Sequence, residues 1–432
     1  MNKQKLISAA QESELPELVL KNGRILNVFT GEIISGDVAV TDGCIVGLGK
    51  YRGKTEKDVG GRYIVPGFVN AHVHVESSMV TPEVYSFEEL RHGTTTIITD
   101  PHEIVNVGGA DALADIISAA ERSPLNYYVM LPSCVPSTPF EHGGAKLLAA
   151  DLKPFKSHPL VLGLGEMMDS VGVIEKNSDV IEKLDEFSDM IIDGHAPMMT
   201  GKALNAYACG GIDTDHESIA YEEAVEKLRC GIAVLVREGS ASKNLRAVIR
   251  GVLSNNIDTT RLAFCTDDKH LADIRREGTI RHNIEKSISL GLSPVKAYQM
   301  ATINAARIYG LKRTGAVACG YKADIVVLDD FETVSIHEVY KDGVLFSEIK
   351  PSLTRSYNSF DSLLHPLRSV NTAPLPENAF YIPPQVEYSV IGIIKHQIAT
   401  LHLRRTHQEI YEGLKKGSIR KIAVNARHHA TN

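Results

Sequence analysis

The sequence predicts an α/β fold, a TIM-like (β/α)8 barrel inserted into a split β-sandwich and followed by a partial C-terminal α+β module. Eight short apolar runs alternate with segments whose apolar residues recur at three- and four-residue spacing, as parallel strands and crossover helices do. Short alternating strands with turn dipeptides stand on both sides of that region, and the texture changes again beyond Pro351. At 432 residues the chain exceeds one ordinary domain but suits a barrel with accessory modules.

In chain order, residues 1–62 read as the first half of the sandwich. Strands between Glu17 and Lys50 are broken at Asn22-Gly23, Thr30-Gly31, Ser35-Gly36 and Asp42-Gly43, all turn dipeptides. Residues 63–312 read as the barrel, with strands at Tyr63–Val69, Thr95–Thr99, Tyr127–Leu131, Leu160–Leu164, Met190–Ile192, Cys209–Ile212, Ile232–Val236 and Leu262–Phe264. Crossover helices are expected at Ala110–Arg122, Ser218–Arg229 and Lys243–Leu253. An open doubly wound sheet is the competing architecture, but no G-x-G-x-x-G or G-x-x-x-x-G-K-[ST] turn opens a helix. Residues 313–350 read as the second half of the sandwich, through Gly315–Ala318, Ala323–Leu328 and the turn Lys341-Asp342-Gly343. Residues 351–432 read as a partial module with a strand at Gln385–Ile394, a basic helix at Thr406–Gly417 and a last strand at Ile422–Asn425. That last strand has no evident partner, so the region beyond about Pro351 is expected to be more mobile than the barrel or held by another subunit.

Hydrophobic residues at 43% and charged residues at 23% are ordinary for a globular enzyme. A net charge of −7 argues against nucleic-acid or anionic-membrane partners, which select for clustered Lys and Arg. The six cysteines form no C-x-x-C pair, so neither a zinc ribbon nor a disulfide framework is suggested. Met1–Leu20 lacks the apolar core of a signal peptide, and no run of eighteen apolar residues occurs. The expected compartment is the cytoplasm.

The chemistry lies in the residues that end the strands. His72 and His74 share one face of the first strand, because side chains alternate along a strand. Glu166 follows the fourth strand, His195 the fifth, His216 the sixth and Asp267 the eighth. Singly, each has an ordinary reading: His195 as a helix cap, Glu166 as a solvated loop residue, Asp267 as an N-cap. Together, four histidines and two carboxylates at the C-terminal mouth of a barrel provide the donors that a pair of divalent cations needs.

The stretches His72-Val73-His74-Val75-Glu76-Ser77-Ser78-Met79, Asp100-Pro101-His102-Glu103-Ile104, Gly163-Leu164-Gly165-Glu166-Met167-Met168, Asp193-Gly194-His195-Ala196-Pro197, Thr214-Asp215-His216-Glu217 and Thr266-Asp267-Asp268 resemble the bacterial adenine deaminases of the amidohydrolase superfamily, over essentially the whole chain. The resemblance implies hydrolytic deamination of adenine to hypoxanthine and ammonia by a metal-bound hydroxide. His72, His74 and Asp267 would hold one metal and His195 and His216 the other, with Glu166 bridging them where many relatives carry a modified lysine. Asp267 would serve as general base and then acid, and Glu103 or His102 as the acid near the purine. Ser77, Ser78 and Asp268 are further candidates for contacting the base, and Glu103 has the alternative role of orienting a histidine ligand. The implied cofactors are two divalent ions, Mn2+ or Fe2+ first and Zn2+ as a further candidate. The expected partner is a free purine base, in preference to the nucleoside, and the expected assembly a homodimer. A cyclic-amide hydrolase of the dihydroorotase or hydantoinase kind, and a shortened non-catalytic relative, are the alternatives. Family members continue beyond the last residue here, and Arg427-His428-His429-Ala430-Thr431 resembles the start of a motif in their last domain.

Overall fold

The computed structural model describes residues 2–138, 140–350, 372, 374–397, 400–423 and 428. The chain opens with strands β1 (Leu18–Asn27), β2 (Glu32–Thr41), β3 (Cys44–Gly49), β4 (Thr55–Asp58) and β5 (Tyr63–Pro66). Asp42 and Gly43 both take positive φ, at 54° and 69°, and turn β2 into β3 as a two-residue hairpin loop requires. Asn22-Gly23 and Ser35-Gly36 are not turns, contrary to the sequence reading. Gly23 faces Gly36 inside the β1–β2 ladder, just past a shift in register. The positive φ of Asn22, 58°, is spent on an irregularity that bends the sheet rather than reverses the chain.

The expected first strand, Tyr63–Val69, is two strands meeting at Gly67. Its first half is β5, which pairs with the sandwich, and its second half belongs to β6 (Phe68–Val73) of the barrel. A Cβ at Gly67 would collide with the Thr95 side chain, so glycine permits the hand-over between the two sheets. The barrel continues through β7 (Thr94–Thr99), β8 (Asn126–Leu131), β9 (Val161–Met167), β10 (Ile191–Gly194), β11 (Thr214–Asp215), β12 (Ala233–Arg237) and β13 (Leu262–Cys265). Strands β6 to β10 pair in parallel in chain order, and so do β11 to β13. Two seams join these groups. At one, Asp213 N–H donates to the Ile192 carbonyl at 2.9 Å; at the other, Val73 bridges in parallel to Asp267. Val69, Ala71, Ile98, Met130, Leu235, Ala263 and Cys265, from five strands, form one buried cluster.

The expected sixth strand, Cys209–Ile212, is incorrect. Cys209 ends the helix Gly201–Cys209, whose Leu204 and Tyr207 are buried, and Gly211 at φ 86° turns the chain into the short β11. The crossover helices lie at His102–Glu121, interrupted at Gly109, and at Tyr221–Arg229 and Leu245–Ser254. In the last of these Leu245, Val248, Ile249 and Val252 are buried, an apolar stripe at helical spacing.

Strands β14 (Ile325–Asp330), β15 (Ser335–Lys341) and β16 (Val344–Leu345) return to the first sheet, giving eight strands in the order β16-β15-β14-β5-β1-β2-β3 with β4 on β1. Leu20, Ile25, Val38, Val40 and Ile45 from the front of the chain share a core with Ile325, Val327 and Tyr340 from its back. Gly315–Ala318 is a loop rather than a strand, although Ala316 and Val317 are buried. Beyond this lies a hairpin of β17 (Glu387–Ile393) and β18 (Thr400–Thr406), and then the helix His407–Lys416. Thr406 and Glu409 cap that helix reciprocally, and Gly417 at φ 76° ends it. Ile422 and Ala423 are not in a strand, while 424 and 425 lie outside the described residues, as does the run 427–431 apart from His428. Among the described residues no helix is long and apolar enough to cross a membrane.

Candidate metal centre

His72 lies in β6 and His74 just beyond it, with their Nε2 atoms 3.1 Å apart. His74 Nδ1–H donates to the Asp100 carbonyl at 2.8 Å, which leaves Nε2 as the free lone pair of that ring. Asp100 has a second task. Its Oδ2 accepts the Glu166 N–H at 2.8 Å, and a Cβ on Gly165 would collide with the same oxygen. One residue after β7 therefore sets the position of a histidine from the first strand and a glutamate from the fourth.

Glu166 lies inside β9, not after its end, and is buried. Its Oε2 is 2.8 Å from His195 Nδ1 and 2.9 Å from His216 Nε2, while Oε1 is 3.7 Å from His74 Nε2. Burial alone would raise its pKa; the imidazoles of His195 and His216 outweigh that and hold it well below the usual carboxylate range. Asp267 Oδ1 is 3.0 Å from His74 Nε2 and 3.9 Å from His72 Nε2. Its pKa is also held low, because His74 and Arg237 outweigh the effect of burial.

All six expected donors are thus brought together, with the four imidazoles gathered around Glu166 and the His72 and His216 rings stacked 4.0 Å apart. Atoms bound to one ion by bonds of about 2.0–2.2 Å lie roughly 3–3.5 Å from each other. The separations here run from 2.8 to 3.9 Å. Among the described residues His216 Nε2 has no hydrogen-bond partner, although Glu166 Oε2 is 2.9 Å away. The two atoms approach without the alignment of a hydrogen bond, as ligands aimed at a common point do. The donor set of imidazole and carboxylate fits divalent first-row cations.

Around this centre stand partners that the sequence reading did not single out. Arg237, at the end of β12, is fully buried and grips Glu217 through both terminal nitrogens, with Nη2 to Oε2 at 2.9 Å and Nη1 to Oε1. Its Nη1 also donates to Asp267 Oδ2 at 2.8 Å, and Nε to Asn244 Oδ1 at 3.0 Å. Asp193 accepts from Thr214 Oγ1 at 2.7 Å and from Tyr309 at 3.0 Å, and its Oδ2 is 3.9 Å from His72 Nδ1. Asp215 receives Lys227 Nζ at 2.5 Å together with the N–H groups of Ala196 at 2.8 Å and Glu217 at 3.0 Å, tying down the loops that carry His195 and His216. A charged residue directly following an apolar run was the available signal for Arg237.

The residues expected to meet the substrate divide. His102 Nδ1 is 3.2 Å from Glu166 Oε1, and Glu103 Oε2 is 3.6 Å from His74 Nδ1. Against burial and the charge of His74, the carboxylates of Asp100 and Glu166 push His102 up to about 10. Burial and the Glu103 carboxylate push the neighbouring Glu76 up to about 8. Ser77 donates to Asp268 Oδ1, and Asp268 is exposed. Ser78 does not join this group: its hydroxyl is buried and donates to the Val75 carbonyl at 2.5 Å, within its own turn.

Comparison with known proteins agrees with this geometry. Residues 63–346 match the amidohydrolase family. An adenine deaminase of Desulfitobacterium hafniense is 51% identical over 339 residues, 78% of this chain and 60% of that protein. One from Bacillus licheniformis is 44% identical over 428 residues, 98% of this chain and 74% of that protein. Among solved structures, an adenine deaminase aligns with TM-score 0.58 at 15% identity, covering 76% of this chain and 99% of that one. A β-aspartyl dipeptidase from Fervidobacterium islandicum aligns with TM-score 0.57 at 17% identity, over 78% and 98%. The structural likenesses establish the fold.

Proposed function

The chain belongs to the amidohydrolase family and, within it, to the adenine deaminases, and from that membership and the geometry of the mouth we propose that it hydrolyses adenine to hypoxanthine and ammonia with two divalent cations as cofactors. The observation that carries this reading is the convergence of four imidazoles on Glu166, with His195, His216 and His72 within 3.9 Å of Oε2 and His74 3.7 Å from Oε1. In this assignment His72, His74 and Asp267 would hold one cation and His195 and His216 the other, with Glu166 available to both. Mn2+ or Fe2+ are preferred, with Zn2+ as the alternative. Cations bound here would supply Lewis acidity, making water acidic enough to attack near neutral pH.

The remaining chemistry belongs to the protein. Asp267 has one oxygen engaged by Arg237 and the other facing the imidazoles. Through Oδ1 it takes a proton from the attacking water as the C6–O bond forms. It returns that proton to the amino group as the C6–N bond breaks and ammonia leaves. The second water proton ends on N1 of hypoxanthine. Glu103, partly open to solvent beside His74 and His102, is our candidate for protonating N1 and being recharged in turn, with orientation of His74 as its alternative role. His102, Ser77 and Asp268 offer polar contacts to the purine edges. All six cysteines are free thiols, which supports a reducing cytoplasmic setting. The same reading divides the chain into 1–62 and 313–350 as the two halves of the sandwich, 63–312 as the catalytic barrel and 351–432 as an appended module.

Ammonia release by protein loaded with Mn2+ tests the assignment, with adenosine and dihydroorotate as controls. Turnover of adenine alone is expected. Comparable kcat/KM on adenosine would contradict the substrate, and ring opening of dihydroorotate the reaction class.

A further inference from the structure

Arg237 is the largest fully buried side chain among the described residues, and its guanidinium lies between two buried carboxylates, Glu217 and Asp267. A buried charge normally makes one neutral pair, and Glu217 alone, bound by both terminal nitrogens, would provide it. Arg237 does more. Four of its five N–H donors are assigned: two to Glu217, one to Asp267 Oδ2 and one to Asn244 Oδ1. Its backbone is fixed as well, since Arg237 pairs with Cys265 across β12 and β13, and Asn244 N–H returns to the Arg237 carbonyl at 3.1 Å. Asp267 itself has φ 56°, a left-handed conformation uncommon outside glycine, and its N–H donates to the His72 carbonyl at 3.0 Å. Glu217 Oε1 is 3.7 Å from His195 Nδ1 and 3.6 Å from His216 Nε2, so the arginine pair touches the other imidazoles too.

We propose that Arg237 is the positioning residue of Asp267: the guanidinium holds Oδ2 so that Oδ1 alone is presented to His74 and the reacting water, and Glu217 and Asn244 hold the guanidinium in that pose. This rests on the assignment of Asp267 as proton carrier and cation ligand. Lysine cannot replace the arginine, because an ammonium directs its three donors from a single point whereas the planar fork reaches two carboxylates and an amide at once. Misplacing a reacting group by about 1 Å costs on the order of 10²-fold, and losing a partner that orients a metal ligand costs about 10–100-fold in affinity.

The test compares Arg237→Lys, which keeps the charge, with Asn244→Ala, a milder change to the same clasp, in the full chain. Arg237→Lys is expected to lower kcat on adenine about 10²-fold with KM within about threefold. It should weaken binding of one of two Mn2+ ions about tenfold in a titration. Asn244→Ala should show the same pattern at smaller size. In an Asp267→Asn background Arg237→Lys should add less than about threefold to either loss, because the arginine acts through that carboxylate. Equal losses with and without Asp267, or a rise in KM alone, would overturn the proposal, as would wild-type Mn2+ affinity and kcat in Arg237→Lys. If Arg237→Lys does not fold, Asn244→Ala decides by the same criteria. If the wild-type chain leaves adenine untouched, the functional reading fails, and the Mn2+ titration still decides the role of Arg237.

Discussion

In the β-sandwich, buried Asp37 accepts the N–H groups of Asn22 at 3.0 Å and Tyr51 at 3.1 Å and pairs with Lys21 at 2.7 Å. At the barrel mouth His216 is just as buried, yet neither ring nitrogen has a hydrogen-bond partner among the described residues. His72 Nδ1 and Asp100 Oδ1 are in the same condition. A buried polar group without a partner costs roughly 1–3 kcal/mol. Among the described residues, the strands of the sandwich leave no buried side-chain polar atom without a partner, whereas the mouth leaves several, as expected of a site that takes a ligand. Substitutions should therefore separate stability from activity according to region.

The largest effect is expected for Asp267→Asn, where an amide can neither take a proton nor replace the carboxylate ligand. General acid-base groups are worth about 10²–10⁴-fold in rate. The variant should lose at least that much turnover while circular dichroism stays unchanged, and retention of more than a tenth of wild-type activity would contradict the assignment. Lys227→Met probes a third situation, a buried charge that is paired. Its Nζ lies 2.5 Å from Asp215 and 3.0 Å from Glu223 with almost no exposure, and removing one partner of a buried pair costs about 3–5 kcal/mol. Urea unfolding should report that loss. A cost below about 1 kcal/mol would mean that Asp215 is held by its other donors alone.

Asp37→Asn should be smaller, about 1–3 kcal/mol in stability with kcat unaffected. Burial raises the Asp37 pKa, but Lys21 and two backbone N–H groups outweigh it and set it below the usual carboxylate value. A depressed carboxylate adds stability that is complete above its unfolded pKa, about 3.9, and disappears as pH falls through the folded value. The difference between wild type and Asp37→Asn should accordingly shrink as pH falls below about 4, and a difference that does not change as the pH is lowered would contradict this account. The smallest effect is expected for Gln397→Ala. Gln397 accepts from Asn244 at 3.0 Å, and His396 accepts the Lys243 N–H at 3.2 Å, so the C-terminal hairpin touches the loop that holds Arg237. One such hydrogen bond is worth about 0.5–1.5 kcal/mol, and kcat should change by less than about tenfold. A larger fall would make the hairpin part of the mouth.

Both the convergence of the six candidate donors and the fold class were legible because they lie at the regular positions of the architecture. His72, His74, Glu166, His195, His216 and Asp267 stand at or just beyond apolar runs, where a parallel barrel exposes its chemistry. The supporting residues were not legible. Arg237, Glu217, Asp193 and Tyr309 acquire their roles from contacts between strands and helices distant in sequence, and a lone charge after a strand reads as solvated. The sixth strand failed for a local reason. Cys209-Gly210-Gly211-Ile212 carries apolar residues around a glycine pair, which suits a strand as readily as a helix end, and burial of Leu204 and Tyr207 decides for the helix. Likewise Asn22-Gly23 supplies a positive φ that suits a turn or a bulge, and only the facing Gly36 settles which.

The most direct test of the account is the metal stoichiometry of the protein after reconstitution with Mn2+, measured by elemental analysis against protein concentration. The open donor atoms around Glu166 predict close to two ions per chain, held through His72, His74, Glu166, His195, His216 and Asp267. A value that stays at one or below would contradict the reading of the mouth as a site for two cations.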